Sequence, residues 1–329
     1  MTVNTWEINV DLYGVDRKMN TNRDLSIAKS KRLDEFYTKM EDIEAELKYY
    51  RKHFERKKIF CNCDDPSYSN FWIYFKQNFN FINLKQLIST HYDREKPSYS
   101  LKFLEGMNIS EDNPIRTNLE QNGDFRSPEA IRILEDSDIV VTNPPFSLFR
   151  EYVAQLVKYN KKFIILGHIN AVTYKEIFPL IKENKIWLGQ SIHSGDREFI
   201  IPRKYRGILK NAKTDESGIS TVRIKGVRWF TNLDISKRHE KLILYKHYNP
   251  EEYPKYDNYD AINVDKVADI PCDYDGVMGV PITFLDKYNP EQFEILGDSR
   301  YHDESDVAND INVLHGKILY RRLLIRRIQ

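Results

Sequence analysis

The stretch DIVVTNPPFSLFREY, residues 138–152, limits this chain more than any other. Four strand-forming residues run into two consecutive prolines, and a helix-forming segment comes at once after them. Proline has no N–H to give to a ladder and fixes its own φ. It also pushes the residue before it into an extended conformation. Asn143 and Pro144 therefore form a rigid, extended corner between a strand and a helix, with carbonyl oxygens held in fixed directions.

The segments on either side place that corner in a series. In DEFYTKMEDIEAELKYYRKHF, the residues Phe36, Met40, Ile43, Leu47, Tyr50 and Phe54 recur at three- and four-residue steps and predict one apolar helix face. Thr38 and Glu41 have the spacing of a capping box. KKIFCNC predicts a short buried strand, DDPSYSN a turn, and Phe71, Phe75 and Phe79 a second helix. LKQLISTHY predicts another strand. SPEAIRILED predicts a helix with Ser127 as N-cap and Pro128 at the first helical position. DIVVT, SLFREYVAQLVKY and KKFIILG continue as strand, helix and strand. Thr173 and Glu176 suggest a second capping box, ahead of a strand at KIWLG. Alternating strands and helices imply a mostly parallel sheet covered on both faces. Ligands bind such sheets beyond the carboxyl ends of the strands.

Beyond residue 190 apolar runs shorten and turns multiply, so the second half reads as a smaller β-rich lobe. The expected division is an arm at 1–31, a main domain at 32–190 and the lobe at 191–329. A chain of 329 residues that is 41% hydrophobic supports more than one core. A net charge of +1 confines any nucleic-acid surface to local patches. Three cysteines, without a paired metal-ligand spacing, suggest a reducing compartment and no metal centre. No segment has the length of a membrane span, and the N-terminus has no apolar signal region. These features describe a soluble, cytoplasmic protein.

The corner suits the gripping of a planar amine. The Asn143 side-chain oxygen and the Pro144 carbonyl can each accept one hydrogen of an exocyclic NH₂, while Phe146 stacks on the attached ring. An adenine N6 lone pair is delocalised into its ring. Two acceptors drawing on its hydrogens favour a pyramidal nitrogen with that pair available for in-line attack. Positioning and electrostatics then carry the reaction, and no strong base is needed. An adenine in duplex DNA must first be flipped out of the stack. A tight strand-to-helix turn without chemistry is the competing reading of the tetrapeptide alone.

The ordered set of motifs resembles the adenine-N6 DNA methyltransferases of the EcoRI modification type. Asn143-Pro144-Pro145-Phe146 resembles the catalytic motif, DEFYT the motif against the methionine end of S-adenosylmethionine, and CNCDDPSYSNF the first strand-and-turn motif. NGDFRS resembles the third motif, and KYDNYDAIN with GVMGVPITFLDKYNPEQFE the C-terminal half. The likeness spans about residues 30 to 297. It implies a Rossmann-like methyltransferase domain followed by a target-recognition lobe. S-adenosylmethionine would be contacted by Phe36, Tyr37, Thr38, Asp64, Asp124 and Phe125. Asn143, Pro144, Pro145 and Phe146 would hold the flipped base. Asp93 is the candidate for the ribose hydroxyls, with a solvated loop charge as the alternative. The first motif departs from the usual glycine-rich form of cofactor-binding turns.

Basic residues in PRKYRGILKNAK, among them Arg203, Lys204 and Arg206, suit phosphate contacts. Arg228 and Asn258 suit bidentate contacts to guanine and adenine edges. Tyr256, with Tyr253 and Tyr259, suits a groove-entering loop; core packing is the competing reading. His168 reads as structural. The resemblance implies a short duplex palindrome, GAATTC in the type case, and a restriction-modification setting with an associated restriction endonuclease. Methylating one strand at a time needs no two-fold symmetry, so a monomer is expected. A methyltransferase of RNA adenine or protein glutamine, and a catalytically silent DNA-binding module, are the alternatives.

Overall fold

The computed structural model describes residues 36–63, 65–93, 97–201, 209, 211–300 and 311–328. The expected arm at 1–31 lies outside them, as do Asp64, Arg203, Lys204 and Arg206.

Strand β1 (Tyr37–Thr38) leads into helix α1 (Met40–Leu47), which continues through a 3₁₀ turn into α2 (Arg51–Phe54). The expected face is present: Ile43, Leu47, Tyr50 and Phe54 are fully buried. The capping box at Thr38 is not. The N-cap is Lys39, with no side-chain cap, because Thr38 is held extended by pairing with Phe199. Strand β2 (Lys58–Cys61) and helix α3 (Asn70–Ile82) follow. Ser69 caps α3 by accepting from the Phe71 and Trp72 amides. Next come β3 (Gln86–Thr90) and two antiparallel strands that the sequence did not announce, β4 (Tyr99–Leu104) and β5 (Ile115–Asn118).

Helix α4 (Pro128–Asp136) begins as expected, with Ser127 Oγ accepting from the Ala130 amide at 3.1 Å and proline in the first turn. Strand β6 (Ile139–Thr142), helix α5 (Phe149–Lys158) and strand β7 (Lys162–His168) complete the expected run. The second capping box fails. Thr173 closes a 3₁₀ turn, its hydroxyl donating to the Asn170 carbonyl at 2.9 Å. Helix α6 (Phe178–Lys182) starts only where Pro179 can sit in its first turn.

The remaining strands are β8 (Trp187–Leu188), β9 (Asp196–Ile201), β10 (Lys213–Thr214), β11 (Ser220–Lys225) and β12 (Val227–Thr231). After them come β13 (Lys255–Tyr256), β14 (Tyr259–Asn263), β15 (Met278–Pro281), β16 (Phe293–Asp298), β17 (Val313–Leu314), β18 (Lys317–Ile318) and β19 (Arg322–Arg327). The main sheet has the order β5-β4-β3-β2-β6-β7-β12-β8. Its four central strands, β3, β2, β6 and β7, are mutually parallel. Strand β12 pairs antiparallel with both β7 and β8. The chain beyond residue 190 thus returns to the first sheet before building its own. A second sheet, β1-β9-β11-β10, is antiparallel, and a third has the order β13-β14-β15-β19-β16.

Alternation along the parallel strands divides the core. Ile59, Cys61, Leu87, Val141, Ile164 and Leu166 face α1, α3 and the β9–β11 sheet. Phe60, Ile88, Val140, Phe163 and Ile165 face α4, α5 and the third sheet, through Met278, Val280 and Ile325. A buried carboxylate ties α1 to the start of the second half: Glu46 accepts from Tyr50 Oη at 2.9 Å, the Gln190 amide at 2.9 Å and the Ser191 amide at 2.7 Å. No helix among the described residues is long and apolar enough to cross a membrane.

Phe60 is fully buried at the centre of the second face. Phe60→Ala should cost about 3–5 kcal/mol. Val157→Ala, at a position 41% exposed on α5, should stay within about 0.5 kcal/mol. Denaturant unfolding of the two variants checks the assignment.

Candidate active site

Three parallel strands end together, and the corner stands at that end. Thr142, the last residue of β6, donates its hydroxyl to the Asn62 carbonyl just past β2. Tyr152 of α5 donates to Asn62 Oδ1. Asn62 is 1% exposed, so these bonds form where water cannot compete. They fix the separation of the two strand ends.

Asn143 is buried, and its Nδ2 donates to the Phe36 carbonyl at 2.5 Å. This bond sets the amide's direction: nitrogen toward Phe36, Oδ1 on the opposite side. Pro145 accepts from the Leu148 amide at 2.9 Å, which opens the 3₁₀ turn Phe146–Leu148. The half-buried Phe146 ring lies 6.1 Å from Phe36 and 6.4 Å from Phe199, and those two are 6.0 Å apart. Such separations are typical of favourable tilted and edge-to-face pairs. Phe199 comes from β9, whose register places it against Thr38. Nothing local in the sequence marks it.

The Phe36-Tyr37-Thr38 segment is anchored on both sides. Strand β9 pairs with it, and Asn70 Nδ2 donates to the Thr38 carbonyl at 2.7 Å. Lys39 forms an ion pair with Glu198 of β9. The Tyr37 ring lies 6.0 Å from that of Tyr68.

The glycine-free turn after β2 has its own solution. Cys63 adopts a positive φ of 70°, the conformation usually left to glycine. Asp65 then organises the approach to α3. Its Oδ1 accepts from the Ser67 amide at 2.9 Å, and its carbonyl accepts from the Ser69 amide at 2.8 Å. Its other carboxylate oxygen lies 3.7 Å from His91 Nε2, at the end of β3. The His91 ring stacks on Tyr99 at 4.9 Å, and Tyr99 Oη lies 3.0 Å from Ser67 Oγ.

The third motif closes on the same strand end. The Asp93 amide donates to the Asn122 carbonyl at 3.0 Å, and the Asp124 amide to Asn122 Oδ1 at 3.1 Å. Gly123 between them is at φ +79°, and a Cβ there would lie 1.9 Å from the His91 carbonyl oxygen. Only glycine fits. Asp124 accepts from Arg126 Nε at 2.8 Å and Nη2 at 2.7 Å. Burial alone would raise its pKa, but the hydrogen bonds and charge of Arg126 outweigh it and hold the carboxyl below its ordinary value. Phe125 is 5% exposed, edge-on to Tyr152 at 5.0 Å.

The candidates in the second half fare differently. Arg228 is buried in β12. Its Nε and Nη2 meet Asp286 at 2.8 and 3.1 Å, and its other bonds go to the Val227 and His193 carbonyls. A guanidinium engaged in this way does not read a guanine. Tyr256 is 5% exposed, and its hydroxyl donates to Asn263 Oδ1 at 3.0 Å. Burial pushes its pKa up to about 12. Tyr256 is core, as is Tyr253, whose hydroxyl donates to the Asp269 carbonyl at 2.8 Å. Asn258 is exposed on the β13–β14 turn and accepts from the Val313 amide at 3.3 Å. His168 is held below its ordinary pKa by burial and then by the Arg228 charge. Its Nδ1 accepts from the Asn170 amide at 3.1 Å, in keeping with a structural role.

The parallel-centred α/β sheet thus carries the Asn-Pro-Pro-Phe corner at its strand ends. The family model for the adenine-specific methyltransferase EcoRI matches residues 24–327. The chain belongs to that family and is an adenine-specific DNA methyltransferase. It is 48% identical to the type II methyltransferase M.EcoRI of Escherichia coli over 93% of this chain and 97% of that protein. It is 38% identical to M.MgeORF184P of Mycoplasma genitalium over 92% and 98% of the two chains. With M.MpnI of Mycoplasma pneumoniae it shares 40% identity over 82% and 83%. No solved structure matches the chain. The RNA, protein-glutamine and silent-module alternatives give way to this membership.

The reassignment of Arg228 is testable. Arg228→Met leaves Asp286 as an uncompensated buried charge and should cost about 3–5 kcal/mol of stability. Below its melting temperature the variant should bind duplex DNA as the wild type does. A tenfold loss of DNA affinity in the folded variant would return Arg228 to the interface.

Proposed function

We propose that this enzyme methylates N6 of an adenine flipped from a short duplex site, with Asn143 Oδ1 and the Pro144 carbonyl accepting the two amine hydrogens. The observation that carries this reading is the Asn143–Phe36 hydrogen bond. It aims the amide oxygen before any base arrives, so no reorganisation is required when charge develops at N6. Phe146 stacks on the flipped ring, and Phe36 with Phe199 supports Phe146 from behind.

S-adenosylmethionine supplies the methyl group when bound. The strand-end residues fit it. Its ammonium, ribose hydroxyls and adenine call for acidic and aromatic partners, and Asp65, Asp93, Asp124 and Tyr37 stand at the ends of β2 and β3 or on β1. The Gly123 cradle lets the third motif approach His91 closely. Asp124 in this setting is a charged acceptor already oriented by Arg126. Phe36 and Thr38 act mainly by placing the backbone of their segment, and Phe125 by packing beneath the third motif.

Residues 32–190, with β12, form the Rossmann-like catalytic unit in this reading. Target reading lies within the remainder of 191–329, apart from β9, which lines the active site; Asn258 sits there on an exposed turn. The enzyme acts as a cytoplasmic monomer on one strand at a time, which needs no two-fold symmetry. Its site is GAATTC, as the relationship to M.EcoRI suggests, and a restriction endonuclease is its partner.

Asn143→Ala should lower kcat by about 10²–10³-fold and leave S-adenosylmethionine and DNA affinities nearly unchanged. Transfer at the wild-type rate would dismiss the mechanism. Phe199→Ala should weaken the fluorescence gained by 2-aminopurine at the target position when the duplex binds, since Phe146 loses its support. An unchanged signal would remove Phe199 from base stabilisation.

A further inference from the structure

Beside the third sheet, where Arg327 of β19 donates to the Cys272 carbonyl, lies a cluster that the methylation reaction does not use. His247, Cys272 and Asp273 present one ligand atom each, all within 4.8 Å of one another. His247 Nδ1 lies 3.7 Å from Cys272 Sγ and 2.9 Å from Asp273 Oδ2. Backbone bonds hold the two segments together independently of these side chains. Lys246 and Pro271 form a parallel bridge, and the Cys272 amide donates to the Lys246 carbonyl at 2.8 Å. The Tyr248 amide donates to Asp273 Oδ1 at 2.7 Å, which turns Oδ2 toward His247. The Tyr248 and Tyr274 rings, 4.6 Å apart, flank the cluster.

We propose that His247, Cys272 and Asp273 form a binding site for a divalent zinc-type cation. Imidazole nitrogen, thiolate sulfur and carboxylate oxygen together suit zinc rather than magnesium or calcium. Tetrahedral zinc, with ligand distances of about 2.0–2.3 Å, sets its ligand atoms about 3.3–3.8 Å apart. The nitrogen–sulfur separation already meets this. The nitrogen–oxygen separation opens by a few tenths of an ångström as the His247–Asp273 hydrogen bond gives way to the metal. His247 then keeps its proton on Nε2 and offers the Nδ1 lone pair. The Cys272 thiol releases its proton to solvent, and water fills the fourth position. The side chains of His247 and Asp273 are 78% and 46% exposed, so an ion can enter without opening the fold. Bound there, it clamps residues 246–248 to residues 271–273. A surface His–Asp ion pair beside an inert thiol is the competing account.

Cobalt(II) titration of the chelator-stripped full-length protein distinguishes the two, with zinc as competitor. The expected result is a thiolate-to-cobalt charge-transfer band that zinc abolishes. Cys272→Ser should lack the band, and His247→Ala should bind more than about tenfold more weakly. Zinc should also raise the melting temperature of the wild type and leave that of Cys272→Ser unchanged. Without metal, both variants should melt and methylate as the wild type does, which separates ligand loss from misfolding. Absence of the band, or its survival in Cys272→Ser through Cys61 or Cys63, would overturn the site.

Discussion

Asn143 donates its side-chain N–H to the carbonyl of Phe36, and both groups are buried. A buried polar group left without its partner costs about 1–3 kcal/mol, so the corner and the segment before α1 hold one another in place. That segment is short, and it stays extended only because β9 pairs with it and Asn70 holds the Thr38 carbonyl. The corner in turn depends on Asn62, which fixes the end of β6 against the end of β2. A positioned acceptor pair thus rests on bonds contributed by four distant stretches of chain.

Much of the central architecture was legible because it depends on local pattern. Ile43, Leu47, Tyr50 and Phe54 share a helix face by spacing alone, and Ser127-Pro128 announces α4 through capping chemistry. The parallel strands are apolar at successive positions because both faces are covered, and this is how they read in the sequence. What failed was non-local. Thr38 and Glu41 have the spacing of a capping box, but strand pairing with β9 holds Thr38 extended. Phe199 reaches the site through that same register.

The second half shows the limit more sharply. Arg228 and Tyr256 have side chains that suit base contacts, and chemistry alone suggested them. Arg228 is buried against Asp286, far along the chain, and Tyr256 is closed over by Asn263 on the paired strand and by Gly279 beyond it. Strand β12 returns to the main sheet beside β7, so a change in composition near residue 190 does not mark where the first sheet ends. His247 and Cys272 lie too far apart in sequence for a spacing motif to reveal them.

The most direct test of the proposed chemistry is a crystal structure of the enzyme with its duplex target and a non-reactive analogue of S-adenosylmethionine. The expected result is a target adenine out of the stack, with N6 within hydrogen-bond distance of Asn143 Oδ1 and the Pro144 carbonyl. Asn143 Nδ2 should still rest on the Phe36 carbonyl. A flipped adenine whose N6 meets neither oxygen, or an Asn143 amide rotated away from Phe36, would contradict it.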